Sequence, residues 1–350
     1  MIITGQMPAK LTNYVTELHD LTSRIFDESI PFEDRALDVF NYQYKNNKTY
    51  RRFCDALKLT PSTVEKGDDI PLLPAEAFKD ADLISFKKEL KPDLIFKSSG
   101  TSSMERSTHA ILDEEIYRTS VLNGFEKFYN LEEFDVWAYL PGYSDNPNSS
   151  LLWMVDALIE ESDSKQSRFL PLDEPLRRAS LKKIEESDRR LMLFGAAFGL
   201  LDLLELDEVK LPENSVVVET GGMKTHRREI TKSQLHTILA EGFGLEEDQI
   251  HSEYGMTEMC SQAYAVGGPW LQAVPWLKVS LRDPQDPLKE IPYGEEGLIG
   301  CCDLANIHSC SFLLTGDKGI QRPDGAFQVL GRWQPKNLRG CNFLMENEVE

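Results

Sequence analysis

The first part of the chain places hydrophobic residues at helical spacing. Leu18, Leu21 and Ile25 recur at steps of three and four residues, and this pattern predicts amphipathic helices across residues 9–60. The segment 68–74 contains two prolines, and proline disfavours helical backbone in the residue before it. We therefore expect that segment to be extended.

A second pattern begins near residue 94, where short apolar runs each lead into a loop of small residues. The predicted strands span residues 94–96, 136–140, 191–194, 216–219 and 250–254. Helical periods occupy residues 113–130 and 150–160. The recurring order of strand, loop and helix predicts an α/β fold whose loops gather at the carboxyl ends of the strands, where such sheets bind ligands.

The pattern of residue types changes again after residue 262. Residues 266–332 hold many glycines and prolines between short apolar runs, which predicts a β-rich segment with turns. We therefore expect three parts: a helical lead-in over residues 1–90 packed on the core, an α/β core over 91–265, and a β-rich subdomain over 266–350 that ends in a short arm.

The charge excludes some partners. The 350 residues include 38 Lys plus Arg and 58 Asp plus Glu, which gives a net charge of −20. Such a charge repels nucleic acid and anionic membranes, so we expect no nucleic-acid partner. The longest nearly apolar run, residues 191–201, is too short to cross a bilayer, so we expect no membrane insertion.

The first residues and the cysteines of the chain indicate the cellular compartment of the protein. Residues 1–5 lack the basic and apolar runs of a secretory signal. The six cysteines lack zinc-binding spacing. We expect a reduced, cytoplasmic protein.

The first motif with chemistry in it is a run of small hydroxyl residues after a predicted strand. It consists of Ser98, Ser99, Gly100, Thr101, Ser102 and Ser103. Backbone N–H groups and hydroxyls in such a loop can surround a phosphate. The run lacks the Gly-Lys-Ser/Thr of a Walker loop, and by itself it equally fits a serine-rich surface turn.

Two further motifs lie in glycine turns. Residues 254–258 (Tyr-Gly-Met-Thr-Glu) place an aromatic ring, a hydroxyl and a carboxylate together, suited to a base, a phosphate and Mg²⁺. Residues 315–317 (Thr-Gly-Asp) are followed by Gly331 and Arg332. An aspartate there can accept both ribose hydroxyls. Taken alone, each motif also fits an ordinary turn.

The order of these motifs, with Gly221 and Gly222 between the first two, resembles the adenylate-forming enzyme superfamily. Within it, the chain resembles the acyl-protein synthetases of bacterial luminescence fatty-acid reductase complexes. The supporting segments are residues 70–74 (Ile-Pro-Leu-Leu-Pro), 146–151 (Asn-Pro-Asn-Ser-Ser-Leu), 221–224 (Gly-Gly-Met-Lys) and 339–341 (Arg-Gly-Cys). The resemblance covers residues 40–341.

The resemblance implies a fold and an activity. The fold would be an α/β adenylate-forming N-terminal core, with stacked α/β subdomains and a small β-barrel-like subdomain, lacking the usual C-terminal lid domain. Residues 91–265 would bind nucleotide and acyl group. The activity would be ATP- and Mg²⁺-dependent conversion of a carboxylic acid, expected to be a fatty acid, to acyl-AMP, followed by transfer to a cysteine thiol.

The same resemblance assigns nucleotide-binding residues. They are Ser98, Ser99, Gly100, Thr101, Ser102, Ser103, Gly221, Gly222, Met223, Tyr254, Gly255, Met256, Asp317 and Arg332. The serine-rich loop would hold the β- and γ-phosphates, and the Gly-Gly segment would line the adenine. Tyr254 would pack on the base, and Asp317 would take the ribose hydroxyls with Arg332 close by.

It also assigns the catalytic residues. Thr257 would reach the α-phosphate, and Glu258 would bind Mg²⁺. Cys341 would receive the acyl group. Lys224 or Lys336 is a hypothetical replacement for the lysine of the missing lid domain.

Two other functions stay open from the sequence. An acyl- or aryl-CoA ligase would use coenzyme A as acceptor and would be indifferent to Cys341→Ser. A non-catalytic nucleotide-binding subunit would bind ATP without pyrophosphate exchange. The expected partners are a small carboxylic acid and an acyl-acceptor protein or reductase, while the acid's chain length and the oligomeric state are left open.

Overall fold

The computed structural model describes residues 9–99, 106–172, 174–206, 210–221 and 230–333. Within these ranges the α-helices are α1 (Ala9–Ile25), α2 (Phe32–Asn46), α3 (Lys48–Leu57), α4 (Ala77–Asp80), α5 (Glu114–Glu126), α6 (Ser150–Glu161), α7 (Arg178–Glu185), α8 (Ala197–Leu206) and α9 (Lys232–Phe243). The strands are β1 (Leu73–Pro74), β2 (Leu94–Lys97), β3 (Thr108–Ile111), β4 (Phe134–Tyr139), β5 (Arg168–Phe169), β6 (Arg190–Ala196), β7 (Val216–Thr220), β8 (Ile250–Tyr254), β9 (Ala263–Ala265), β10 (Gln272–Ala273), β11 (Leu277–Arg282), β12 (Glu296–Asp303), β13 (Phe312–Gln321) and β14 (Phe327–Arg332). The α/β class is confirmed.

The helices predicted across residues 9–60 form as three separate segments. Asn47 ends α2 and begins α3, because its side-chain oxygen accepts a hydrogen bond from the backbone N–H of Tyr50 at 2.9 Å. Lys58 ends α3 in the left-handed conformation, with φ 59°. These local signals divide a continuous apolar pattern into helices that pack on one another.

The larger sheet has seven strands in the order β10-β9-β8-β7-β6-β4-β5. Strands β5, β4, β6, β7 and β8 run parallel, while β9 and β10 are antiparallel additions at one edge. Every residue of β4 and β7 is buried. Burial on both faces explains why these strands read as apolar runs rather than as alternating sequences.

Helices cover both faces of this sheet. Val136 and Phe194 face one core, together with residues of α5 and α6. Leu193 and Val217 face the other core, with residues of α8 and α9. The division follows from successive strand side chains pointing to opposite faces.

The second sheet has the order β1-β13-β12-β11, with β14 paired to β13. Four of its strands are antiparallel hairpin neighbours, while β1 runs parallel to β13 and pairs Leu73 with Leu313. The extended backbone predicted for residues 68–74 holds from Ile70 onward, whereas Gly67–Asp69 forms a 3-10 turn. Ile70 is the first residue that directly precedes a proline, so the steric restriction begins there.

The connection between β12 and β13 joins the N-terminal helices to the rest of the molecule. We call residues 303–311 the 303–311 turn. Gln43 of α2 is fully buried, and its Nε2 donates to the carbonyls of Asn306 at 3.0 Å and Ile307 at 3.2 Å. The Ser311 backbone N–H donates to Gln43 Oε1 at 2.9 Å. One amide side chain thus satisfies three buried backbone groups.

The described cysteines carry no disulfides. The free thiols are Cys54, Cys260, Cys301, Cys302 and Cys310. Among the helices that the structure describes, none is long and apolar enough to cross a membrane.

We predict that Gln43→Ala lowers the free energy of unfolding by about 2–4 kcal/mol, because it leaves buried carbonyl and N–H groups unpaired. Gln272→Ala, at an exposed position of β10, is the control and should change stability by less than about 0.5 kcal/mol. Urea unfolding followed by circular dichroism measures both. Equal stability of the two variants would contradict the role assigned to Gln43.

Candidate functional site

The candidate site lies at the carboxyl edge of the seven-stranded sheet. Thr220 ends β7 and pairs with Glu253 near the end of β8, so the loops after both strands begin side by side. Gly221 follows β7 with φ +85°, a backbone conformation that favours glycine. This edge is where open parallel sheets bind their ligands.

Three of the predicted nucleotide-binding residues meet here. The Tyr254 hydroxyl donates to Asp317 Oδ2 over 3.0 Å, and Arg332 Nε lies 3.0 Å from Asp317 Oδ1. Asp317 and Arg332 face each other as a cross-strand pair of β13 and β14. The carboxylate side chain is 11% exposed and the Arg332 side chain 53% exposed. The smaller sheet therefore brings a carboxylate and a cation to the edge of the larger one.

The Tyr254 ring is fixed by its surroundings. It packs edge-to-face against Phe327, with ring centres 5.7 Å apart and an interplanar angle of 81°. Burial, together with the negative charge of Asp317, raises the pKa of Tyr254 well above its usual value. The phenol therefore keeps its proton and remains a hydrogen-bond donor to Asp317.

Two buried side chains of the β12–β13 connection hold the loop that follows β8. Asp303 accepts from the backbone N–H of Cys260 at 2.7 Å and of Ser261 at 3.0 Å. Asn306 Nδ2 donates to the carbonyl of Glu258 at 2.7 Å. Burial raises the pKa of Asp303 to about 6, and the hydrogen bonds it accepts oppose that rise.

Glu258 and Asp317 are the described carboxylates predicted to face the nucleotide. The part of the chain that the structure describes holds no group of three or more His, Cys, Asp or Glu side chains able to bind a metal ion. Mg²⁺ is usually held by one or two carboxylates together with substrate phosphates. Glu258 is 8% exposed, and a single carboxylate of this kind fits the protein's share of a magnesium–nucleotide site.

The base of the serine-rich loop is closed by hydrogen bonds. The Ser98 N–H donates to the Ser107 carbonyl at 3.1 Å, and the Ser107 N–H donates to Ser98 Oγ at 3.0 Å. Below this closure, β2 and β3 pair Lys97 with Thr108. Ser99 is exposed. Neither Ser98 nor Ser99 is hydrogen-bonded to the group formed by Tyr254, Asp317 and Arg332.

The remaining predicted site residues lie outside the described residues. They are Gly100, Thr101, Ser102, Ser103, Gly222, Met223, Lys224 and Cys341.

The sequence motifs did not include a pair of carboxylates beside the site. Glu219 of β7 is fully buried and contacts Lys232 and His236, with His236 Nε2 at 3.5 Å from its Oε1. Burial acts to raise the pKa of Glu219, yet these partners hold it below its usual value. Each of these two strands carries a glutamate next to its last residue, and this signal could have identified the pair.

Glu253 of β8 is the other member. It accepts a hydrogen bond from the Thr220 hydroxyl. Burial, with a smaller contribution from the charge of Glu219, raises the pKa of Glu253 to about 7. At neutral pH Glu219 is therefore ionised, whereas Glu253 is ionised in only part of the molecules.

Comparison with protein families gives a match over most of the chain. The family model described as "Acyl-protein synthetase, LuxE" matches residues 20–121 and 159–350. These two ranges include every predicted site residue.

Two curated relatives carry the same name. The long-chain-fatty-acid–luciferin-component ligase of Vibrio harveyi is 24% identical over 330 residues, covering 88% of this chain and 85% of the relative. The protein of that name from Aliivibrio fischeri is 21% identical over an alignment that covers 93% of this chain and 90% of the relative.

Solved structures show the same architecture. An open conformation of 2-hydroxyisobutyryl-CoA ligase, bound to 2-HIB-AMP and CoA, has a TM-score of 0.61 with 13% identity and covers 85% of this chain and 73% of that one. The postadenylation state of that ligase bound to R3-HIB-AMP also gives 0.61, with 12% identity and coverages of 86% and 67%. These likenesses confirm the expected fold of the adenylate-forming enzymes.

We predict that Glu253→Gln changes how stability depends on pH. The folded state raises the pKa of Glu253 from 4.5 to about 7. The stability that the protonated Glu253 carboxyl contributes is therefore fully present below the pKa of the unfolded state. It is lost as the pH rises through the pKa of the folded state. Relative to the wild type, the variant should gain about 2 kcal/mol of unfolding free energy between about pH 5 and pH 8.

Urea unfolding at a series of pH values measures this gain. Glu126→Gln, at an exposed position of α5, is the matched control and should follow the wild type. A Glu253→Gln profile parallel to that of the wild type would show that the buried carboxyl does not titrate as described.

Proposed function

The chain belongs to the acyl-protein synthetase family LuxE and is an ATP-dependent, fatty-acid-activating ligase, and on that premise we propose how it works. The acid is a long-chain fatty acid, as the names of the two relatives indicate for those proteins. The acyl group passes through acyl-AMP to the thiol of Cys341. The meeting of Tyr254, Arg332 and Asp317 supports this proposal most directly.

The chemistry explains why ATP is needed. A carboxylate does not acylate a thiol at neutral pH, because the leaving group would be an oxide or hydroxide ion. In the first step a carboxylate oxygen attacks the α-phosphorus, the bond to pyrophosphate breaks, and acyl-AMP forms. In the second step the Cys341 thiolate attacks the acyl carbon, the bond to AMP breaks, and the products are a thioester and AMP.

The described residues supply the nucleotide contacts. Asp317 accepts the ribose hydroxyls, and its fixed position between Tyr254 and Arg332 orients the carboxylate before the nucleotide binds. Tyr254 packs on the base, with Gly255 and Met256 beside it. The phosphates extend from there toward the hairpin that carries the serine-rich loop.

Charge on the phosphates must be neutralised for a carboxylate to approach. Thr257 contacts the α-phosphate, and Glu258 would hold Mg²⁺ together with the phosphates. The bound ion would supply positive charge that offsets the negative charge of the phosphate oxygens. In the remaining assignments Ser98–Ser103 hold the β- and γ-phosphates, Gly221–Met223 line the adenine, and Lys224 supplies a further positive charge.

The thioester is the form in which the acyl group leaves the enzyme. A thioester on Cys341 can be passed to an acyl-acceptor protein or reductase, which would be the second partner in the reaction. The free thiols among the described cysteines support a cytoplasmic site of action, where thiols stay reduced.

We predict that Cys341→Ser abolishes the acyl adduct but leaves acid-dependent pyrophosphate exchange intact, because adenylation precedes thiol attack. Intact mass spectrometry after incubation with ATP, Mg²⁺ and dodecanoate, tetradecanoate or hexadecanoate measures the adduct, which hydroxylamine should remove. Cys302→Ser, at a partly exposed cysteine, is the control and should acylate normally. An adduct that persists in Cys341→Ser, or acyl-CoA formed at an unchanged rate when that variant is also given coenzyme A, would reject Cys341 as the acceptor.

A second prediction concerns the ribose. Asp317→Asn should raise the KM for ATP about ten- to a hundredfold, because it removes a charged acceptor of two hydroxyls. Asp324→Asn, in the turn that joins β13 and β14, removes an exposed carboxylate and should leave KM within about twofold. Pyrophosphate-exchange rates measured over a range of ATP concentrations give the KM for ATP of each variant. Equal KM values in the two variants would contradict the role of Asp317.

A further inference from the structure

His109 is a fully buried residue of β3, the strand that follows the serine-rich loop. Its ring packs edge-to-face on Phe78, with centres 5.5 Å apart. No sequence motif pointed to it. Both of its ring nitrogens are nevertheless in polar contact with segments far away along the chain.

The ring joins two of these segments. His109 Nδ1 lies 2.7 Å from the carbonyl oxygen of Thr257, and its Nε2 lies 2.8 Å from Asn306 Oδ1. Both partners are oxygens that can only accept, so each contact is a hydrogen bond when the ring nitrogen concerned carries a proton. The first contact reaches the residue proposed to touch the α-phosphate.

Asn306 holds the neighbouring peptide in the same way. Its Nδ2 donates to the carbonyls of Glu258 at 2.7 Å and Cys310 at 2.8 Å. These two bonds fix the orientation of the amide, so its oxygen faces His109. Consecutive carbonyls of the Thr257–Glu258 segment are therefore each bound by a buried side chain.

The neutral ring has a single proton to donate. Burial lowers the pKa of His109 to about 4, so the ring is neutral at neutral pH and donates one hydrogen bond, either to Thr257 or to Asn306. A doubly protonated ring would donate to both.

We propose that His109 carries its proton on Nδ1 and is a positioning residue for adenylation, which fixes the Thr257–Glu258 backbone relative to the β2–β3 hairpin. The proposal rests on the proposed function. His109 stands two residues after Ser107, whose backbone closes that loop on Ser98. One buried ring thereby ties the β2–β3 hairpin, at the base of that loop, to the segment proposed to contact the α-phosphate.

The relative position of the two segments matters because transfer of the AMP group to the carboxylate needs reacting atoms about 3–3.5 Å apart, and a displacement of about 1 Å can cost a hundredfold in rate. Loss of the N–H should therefore lower the rate of adenylation at saturating ATP more than it raises the KM for ATP. A substitution that acts only by unfolding some of the molecules would lower the exchange rate of each variant in proportion to the fraction of that variant that stays folded.

The experiment compares three replacements by fatty-acid-dependent pyrophosphate exchange in the full-length protein. His109→Asn can keep an N–H near the position of Nδ1, His109→Gln places its amide near Nε2, and His109→Leu has no donor. We expect kcat for exchange to fall about ten- to a hundredfold in the Leu and Gln variants, with KM for ATP changed less than about threefold. The Asn variant should recover most of the rate.

His308→Leu is the control. His308 is also buried in this region, and its two ring nitrogens have no hydrogen-bond partner among the described residues. Its replacement should leave the exchange rate unchanged at temperatures where melting curves show every variant folded. If His109→Leu does not fold, the ratio of the exchange rate of the Asn variant to that of the Gln variant tests the role of His109.

Equal rates in the Asn and Gln variants, or normal exchange in His109→Leu, would overturn the role of His109 while leaving the proposed function standing. A wild-type protein that exchanges pyrophosphate with none of dodecanoate, tetradecanoate or hexadecanoate would overturn the proposed function and this inference with it.

Discussion

The structure depends on the hydrogen bonds made by the 303–311 turn. Gln43 of α2 donates to backbone carbonyls of the 303–311 turn. Two side chains of the turn, Asp303 and Asn306, bind the backbone of the loop after β8. His109 of β3 reaches the turn as well. All of these groups are buried, where an unpaired hydrogen-bonding group is costly. One short connection thus sets the relative positions of the helical lead-in, the β2–β3 hairpin and both sheets.

That constraint places the candidate site between two sheets. Tyr254 comes from the carboxyl end of the larger sheet, while Asp317 and Arg332 come from adjacent strands of the smaller one. Because the turn fixes one sheet against the other, the three side chains are in contact before any nucleotide arrives, so binding need not order them.

Much of this could be predicted from the sequence. The buried strand β7 begins with an apolar run, and motif order placed Tyr254 and Asp317 at one predicted nucleotide site. The pairing of β1 with β13 could not be predicted, because a two-residue strand between prolines carries no sign of its partner. Asn306 and His109 were missed because they bind backbone carbonyls, which every residue has and which leave no signature in the sequence.

The most direct test of the account follows the oxygen atoms of the acid. A fatty acid labelled with heavy oxygen in its carboxyl group is incubated with the protein, ATP and Mg²⁺, and the nucleotide product is analysed by mass spectrometry. If a carboxylate oxygen attacks the α-phosphorus and the thiol then displaces AMP, the AMP released carries one heavy oxygen. Unlabelled AMP, or label found in pyrophosphate or in inorganic phosphate, would contradict activation through an acyl-adenylate.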